Sequence, residues 1–197
     1  MARSRGARAT VCTILLAAML IAVGVAGCSG TGHGAGEAVA PSSASSPGVG
    51  DSAAIYSLVV RRICANDPEV GKVAKPTVYL VRRLDDGVGS GSTPAETPAA
   101  LPADVQTGIS AALSDMKSTV KWVDTFGAVQ LDGNTGAVVG GGVIVQVGAI
   151  KSTSAGKVEV PAGIYAGNLG ASGRTYVLEK AGEVWKITGT TGVEWMS

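Results

Sequence analysis

The sequence predicts an α+β domain, an antiparallel curved sheet with about two helices packed on one face. Three observations lead there. Apolar residues recur at helical spacing in two stretches, one ending near Cys64 and one starting at Pro102; β-branched, alternating runs fill the chain from Thr119 onwards; and the order helix, strand, helix, then strands suits helices segregated to one side of a sheet.

In the first helix, from about Ala53 to Cys64, Ile55, Tyr56, Leu58, Val59 and Ile63 share a face, with Ser57 and Arg61 opposite, and Asn66-Asp67-Pro68 stops it. Thr77 to Leu84 is a β-branched and aromatic strand, and Asp85 to Ala100 is expected to be a long surface loop. Pro102 suits the first turn of the second helix, with Asp104 near its positive end and Val105, Ile109, Ala112 and Leu113 as the buried stripe. Strands follow over Thr119–Val123, within Val138–Ile150 (Val143, Val145 and Val147 on one face) and over Lys157–Ala166, where Pro161 points to an edge position or a bulge. Thr175–Lys180 and Glu183–Thr188 form a hairpin across Ala181-Gly182, placing Tyr176 and Leu178 on one face with Trp185 and Ile187. This closing hairpin looks like the last hairpin of the NTF2-like cone folds.

Ahead of the domain lie two different segments. Residues 1–10 hold three Arg and no acid, an apolar run extends from Val11 to Val23, and Val25-Ala26-Gly27-Cys28 follows. A basic start, an apolar run of this length and small residues at its end make a secretory signal. The last four residues resemble the lipobox of bacterial lipoprotein precursors. That resemblance implies that Cys28 receives a diacylglyceryl group, that a signal peptidase cuts between Gly27 and Cys28, and that residues 1–27 are removed. The apolar run falls short of the ~20 residues of a spanning helix. Ser29 to Ser52 is mostly Gly, Ser, Ala, Thr and Pro without apolar periodicity, so residues 28–52 are expected to be a lipidated Cys and a flexible tether, and 53–197 the single domain. The expected location is the extracytoplasmic face of the cell membrane. The domain also looks like uncharacterised lipoproteins of high-GC Gram-positive bacteria, a likeness that implies no activity.

Composition narrows the function. Removing residues 1–27 takes away Arg3, Arg5 and Arg8 and leaves 13 basic and 15 acidic side chains, a formal net charge of −2. That argues against a nucleic-acid partner, which needs a basic face. His33, the only histidine in the sequence, falls in the tether, which removes a Ser-His-Asp triad and a His-ligated zinc site from the domain, and no metal or cofactor is expected. With Cys12 in the signal and Cys28 lipidated, Cys64 is the remaining thiol, expected to be buried and inert.

The apparent motifs have plainer readings. In the stretch from Gly167 to Thr175, Asn168 stands where a phosphate loop needs its first Gly and Arg174 where it needs Lys, so a strand connection is expected. Gly140-Gly141-Gly142 precedes a strand, not a helix, and Asp132-Gly133-Asn134 lacks the acid that would complete a calcium loop, Val143 holding that place. Asp85-Asp86 is expected to be a solvated loop start, and Arg61-Arg62 and Arg82-Arg83 surface charges answered by acids. What remains is a non-enzymatic binding or accessory module of the envelope. Its partner would be an envelope protein or an apolar ligand, entering between sheet and helices near Tyr176 and Trp185. The alternative is a carboxylate-dependent envelope hydrolase using Asp124, Glu179 and Lys186.

Overall fold

A computed structural model of the protein describes residues 47–66, 77–92 and 98–197. Gly27, Cys28, His33 and the stretch up to residue 46 lie outside these residues, as does the Asp67-Pro68 stop. The first helix, α1 (Val49–Asn66), is longer than its apolar pattern suggests: Val49 to Ser52, read above as the end of the tether, form its first turn. Asp51 sits there, where a helix favours negative charge. Ile55, Val59 and Ile63 are buried, but so are Val60 and Ser57, the latter expected to face water. The buried arc is wide because α1 touches both the sheet and the second helix, α2 (Ala103–Ala112), whose Gly108 leaves room for Ala53. Ser57 tolerates burial by donating its hydroxyl to the Ala53 carbonyl at 2.6 Å. Val105, Ile109 and Leu113 bury the other side of this contact, while Ala112, expected in the stripe, is exposed.

Among the described residues seven strands make one sheet: β1 (Thr77–Val81), β2 (Thr119–Val123), β3 (Gly142–Val147), β4 (Lys151–Ser154), β5 (Lys157–Tyr165), β6 (Ala171–Ala181) and β7 (Val184–Met196). Their order is β2-β1-β3-β5-β6-β7, with β4 also on β5, and the sheet is curved without closing into a barrel. The α+β class is therefore as predicted. The sheet is mixed, however, because β1 runs parallel to both β2 and β3. Parallel neighbours need a long connection, and the chain through α2 supplies it between β1 and β2.

Strand alternation sends Val143, Val145, Val147, Val158, Val160, Ala162, Ile164, Tyr176 and Leu178 to the helix side. On the opposite face Val81 and Ile144 are covered by Val129 and Val138 from the segment that follows β2. The space between helices and sheet is filled: the void bounded by Val60, Leu101, Ile109, Trp122 and Val145 holds only about 10 Å³.

Three further details depart from the sequence reading. Pro161 lies inside a central strand, at the place where the neighbour of β5 changes from β4 to β3; its carbonyl accepts the Gly148 N–H at 2.7 Å. The turn of the closing hairpin is Gly182-Glu183, one residue later than expected, between the paired Ala181 and Val184. The loop after β1 is not wholly on the surface. Gly87, Val88 and Gly89 are buried against β5 and β6, where Gly163 and Gly173 leave a bare track. A Cβ on Gly173 would overlap the Val88 carbonyl and the Trp195 indole, whose Nε1–H donates to that carbonyl at 2.8 Å. Strand glycines often mark such close approaches of another backbone.

Candidate ligand groove

Two residues singled out from the sequence, Tyr176 and Trp185, do share a face, on β6 and β7 beneath α1. Among the described residues they line no enclosed interior cavity of ligand size. Instead, a groove runs outside the core along the C-terminal half of α1, where the helix lies over the β6–β7 ladder. Near Trp185 it is lined by Leu58, Arg62 and Ile187, and near Tyr176 by Arg62, Asn66, Arg174 and Thr188. Around the end of the helix a further hollow of about 260 Å³ has Ile63, Ser172, Arg174, Tyr176 and Met196 on its walls.

Both ends of the groove are built from α1 and the hairpin, yet their polar groups are in different states. At the Trp185 end, Asp51 accepts the indole Nε1–H at 3.0 Å and the Lys180 ammonium at 3.1 Å, and that ammonium lies 5.8 Å from the centre of the indole ring. The Trp185 hydrogen bond, and after it Lys180, hold the Asp51 carboxyl below its ordinary pKa. Asp51 belongs to the stretch that polar composition assigns to the tether, so the sequence reading misses this tie.

At the other end, the Tyr176 ring is only 2% exposed and its hydroxyl has no hydrogen-bond partner among the described residues. Burial raises the pKa of this phenol, against the opposing pull of Arg174 and Arg62. Tyr56 shows what a structurally employed tyrosine looks like here. Its hydroxyl is also buried, and its pKa is pushed up to about 12, but it donates to the Gly148 carbonyl at 3.1 Å. Arg174 approaches Glu194 at 3.6 Å, and that same carboxylate oxygen accepts a hydrogen bond from Thr190 at 3.0 Å.

The nominal acid–base set is not assembled. Asp124 follows β2 and is paired with Arg82 at 2.8 Å, whereas Glu179 on β6 is paired with Lys157 at 3.1 Å. Four strand spacings, about 19 Å, separate their strands. Lys186 stands opposite Glu179 in the ladder. Arg61 pairs with Asp115, Asp86 with Lys151, and Asp132 closes its own turn through the Asn134 and Thr135 amides. Gly167–Gly170 connects β5 to β6, as expected for a strand connection, and Cys64 is buried. Among the described residues no group of three or more His, Cys, Asp or Glu is placed to hold a metal ion, and no helix is long and apolar enough to cross a membrane.

None of the family models, curated proteins or solved structures compared with the chain matches it. The NTF2-like reading of the closing hairpin therefore stays an expectation from the sequence.

Proposed function

We propose that the protein is an extracytoplasmic lipoprotein, held at the membrane by acyl chains on Cys28, whose domain binds a ligand or envelope partner in the groove beside α1 and performs no chemistry on it. The observation that carries the binding reading is the Tyr176 end of the groove, where Tyr176, whose buried hydroxyl has no partner among the described residues, is a wall residue of a solvent-accessible hollow. Binding sites combine such apolar walls with a few convergent polar groups. The separation of Asp124 from Glu179, each already in an ion pair, supports binding over hydrolysis. Two acyl chains, at about 0.8 kcal/mol per buried CH₂, give a lasting anchor.

Intact-mass analysis of the membrane fraction tests the anchor. The expected mature N-terminus is an acylated Cys28, and Cys28→Ala yields an unlipidated chain; a wild-type N-terminus elsewhere overturns it. Binding is tested by titrating envelope fractions against Trp emission, with Trp185 at the groove as reporter. Saturable change is expected. Silence towards every fraction, together with turnover of an envelope substrate that Asp124→Asn or Glu179→Gln stops, would replace binding by hydrolysis.

A further inference from the structure

We infer that the Tyr176 end of the groove is an oxyanion site, in which Arg62 from α1 and Arg174 from β6 hold a carboxylate or phosphate group and the Tyr176 hydroxyl donates to it. The inference rests on the binding reading above and adds the chemical class of the ligand.

The hydroxyl comes first. A buried donor without a partner costs stability, and phenylalanine fills the same space without that cost. A polar atom kept under those conditions is explained by a partner that arrives from outside, and the Tyr176 side chain that carries it is on the wall of two adjoining hollows of about 260 and 250 Å³, the hydroxyl lying just beneath their surface. Charge identifies that partner. Arg174 lines both hollows with Tyr176, and Arg62 lines the second. Both guanidinium groups act on the phenol through space, with Glu194 opposing them. Groups from the helix and from the strand thus set two positive charges and one O–H donor around a single opening. A guanidinium is the side chain best shaped for the paired oxygens of a carboxylate or phosphate.

The acid that answers Arg174 pairs with it without a hydrogen bond. Glu194 stands 3.6 Å away, beyond hydrogen-bond distance, whereas Arg82 is met by Asp124 at 2.8 Å and by Gln106 at 3.0 Å. Ser172 adds a hydroxyl at the rim, and Ile63 and Met196 give the hollow an apolar wall for the rest of the ligand. A free small acid and an anionic lipid headgroup present the same oxygens, so the experiment separates them.

The full chain, purified with its lipid, is titrated with inorganic phosphate and with acetate, and separately with phosphatidylglycerol or phosphatidylcholine vesicles, following thermal midpoint and Trp emission. Saturable binding of phosphate or acetate is expected, weakened about tenfold in Arg174→Gln and several-fold in Arg62→Gln, the loss typical of one charge-assisted contact. Tyr176→Phe should weaken it too, while raising the midpoint of the ligand-free protein. Glu194→Gln should tighten it. A response to phosphatidylglycerol vesicles without one to the free ions keeps the site and assigns it to a headgroup. Absence of any anion response, or a response that Arg174→Gln and Tyr176→Phe leave intact, overturns the oxyanion site. If envelope fractions still shift the Trp emission in that case, the binding reading survives the loss of this one; if they too are silent, both fall.

Discussion

Trp185 and Tyr176 lie on neighbouring strands beneath the same helix, and the contrast between them separates structure from function more sharply than burial does. Both are almost completely covered. The indole has its one donor satisfied by Asp51, an acid held in turn by Lys180. The phenol has a donor of comparable strength and nothing among the described residues to give it to. A satisfied polar group is part of how the hairpin is held against α1. An unsatisfied one is a cost the fold carries, and such costs collect at sites of function. Two aromatic residues that look alike in the sequence thus have different meanings.

That contrast can be broken in three ways. If the Tyr176 end were simply loosely built, a substitution beside it would be tolerated. Gly173 is the test, because it lies on the same strand facing away from the groove, pressed against Val88 and Trp195. Gly173→Ala is expected to cost about 2–3 kcal/mol in urea unfolding, the range for overfilling a packed site. A cost near zero would mean that the strand has slack there and that the missing partner signifies little.

Asp51→Ala probes the satisfied end. It removes the acceptor of the indole and the partner of Lys180, with an expected loss of about 1–2 kcal/mol, less than a buried charge-assisted pair because the side chains are partly exposed. The pH dependence has a definite sign. The folded protein holds Asp51 ionised below its ordinary value of 3.8, so below that value the unfolded chain binds the proton more readily. The stability from this group is complete above about pH 4 and is lost as the pH falls through the lowered folded-state value. Unfolding followed between pH 6 and pH 2 should show that loss in the wild type and a shallower one in the variant; equal slopes would remove Asp51 from the account.

The smallest effect has the opposite sign. Tyr176→Phe should stabilise the ligand-free protein by about 1 kcal/mol, the relief of an unmet hydrogen bond. A destabilisation of the same size would show that the hydroxyl is already partnered in solution.

Much of this architecture is legible in the sequence where one face of an element is buried and the other is not. The periodicity of Val143, Val145 and Val147, and the pairing of Tyr176 and Leu178 with Trp185 and Ile187, are set by that asymmetry. Less legible are features that depend on distant chain. No local pattern says that β1 lies between β2 and β3 and runs parallel to both, because only the route through α2 decides it. Gly163 and Gly173 do carry a signal, glycine within strands, but what crosses them is a loop about 80 residues earlier whose composition looks like exposed linker. The groove was half visible. Its aromatic residues follow from strand phase. Arg62 and Arg174 belong to segments read as a surface pair and a glycine-rich connection, and only the packing of α1 across the hairpin brings them together.

The length of α1 has a mechanical consequence. Its first turn is tied by Asp51 to Lys180 and Trp185; its last, at Asn66, lines the groove and the hollow around the helix end. At 1.5 Å per residue these points are about 22 Å apart. A load that reaches the first turn meets the ion pair and the indole before it reaches Arg62, about three turns further along the same helix. The helix acts as a spacer between the ion pair of its first turn and the groove beside its last.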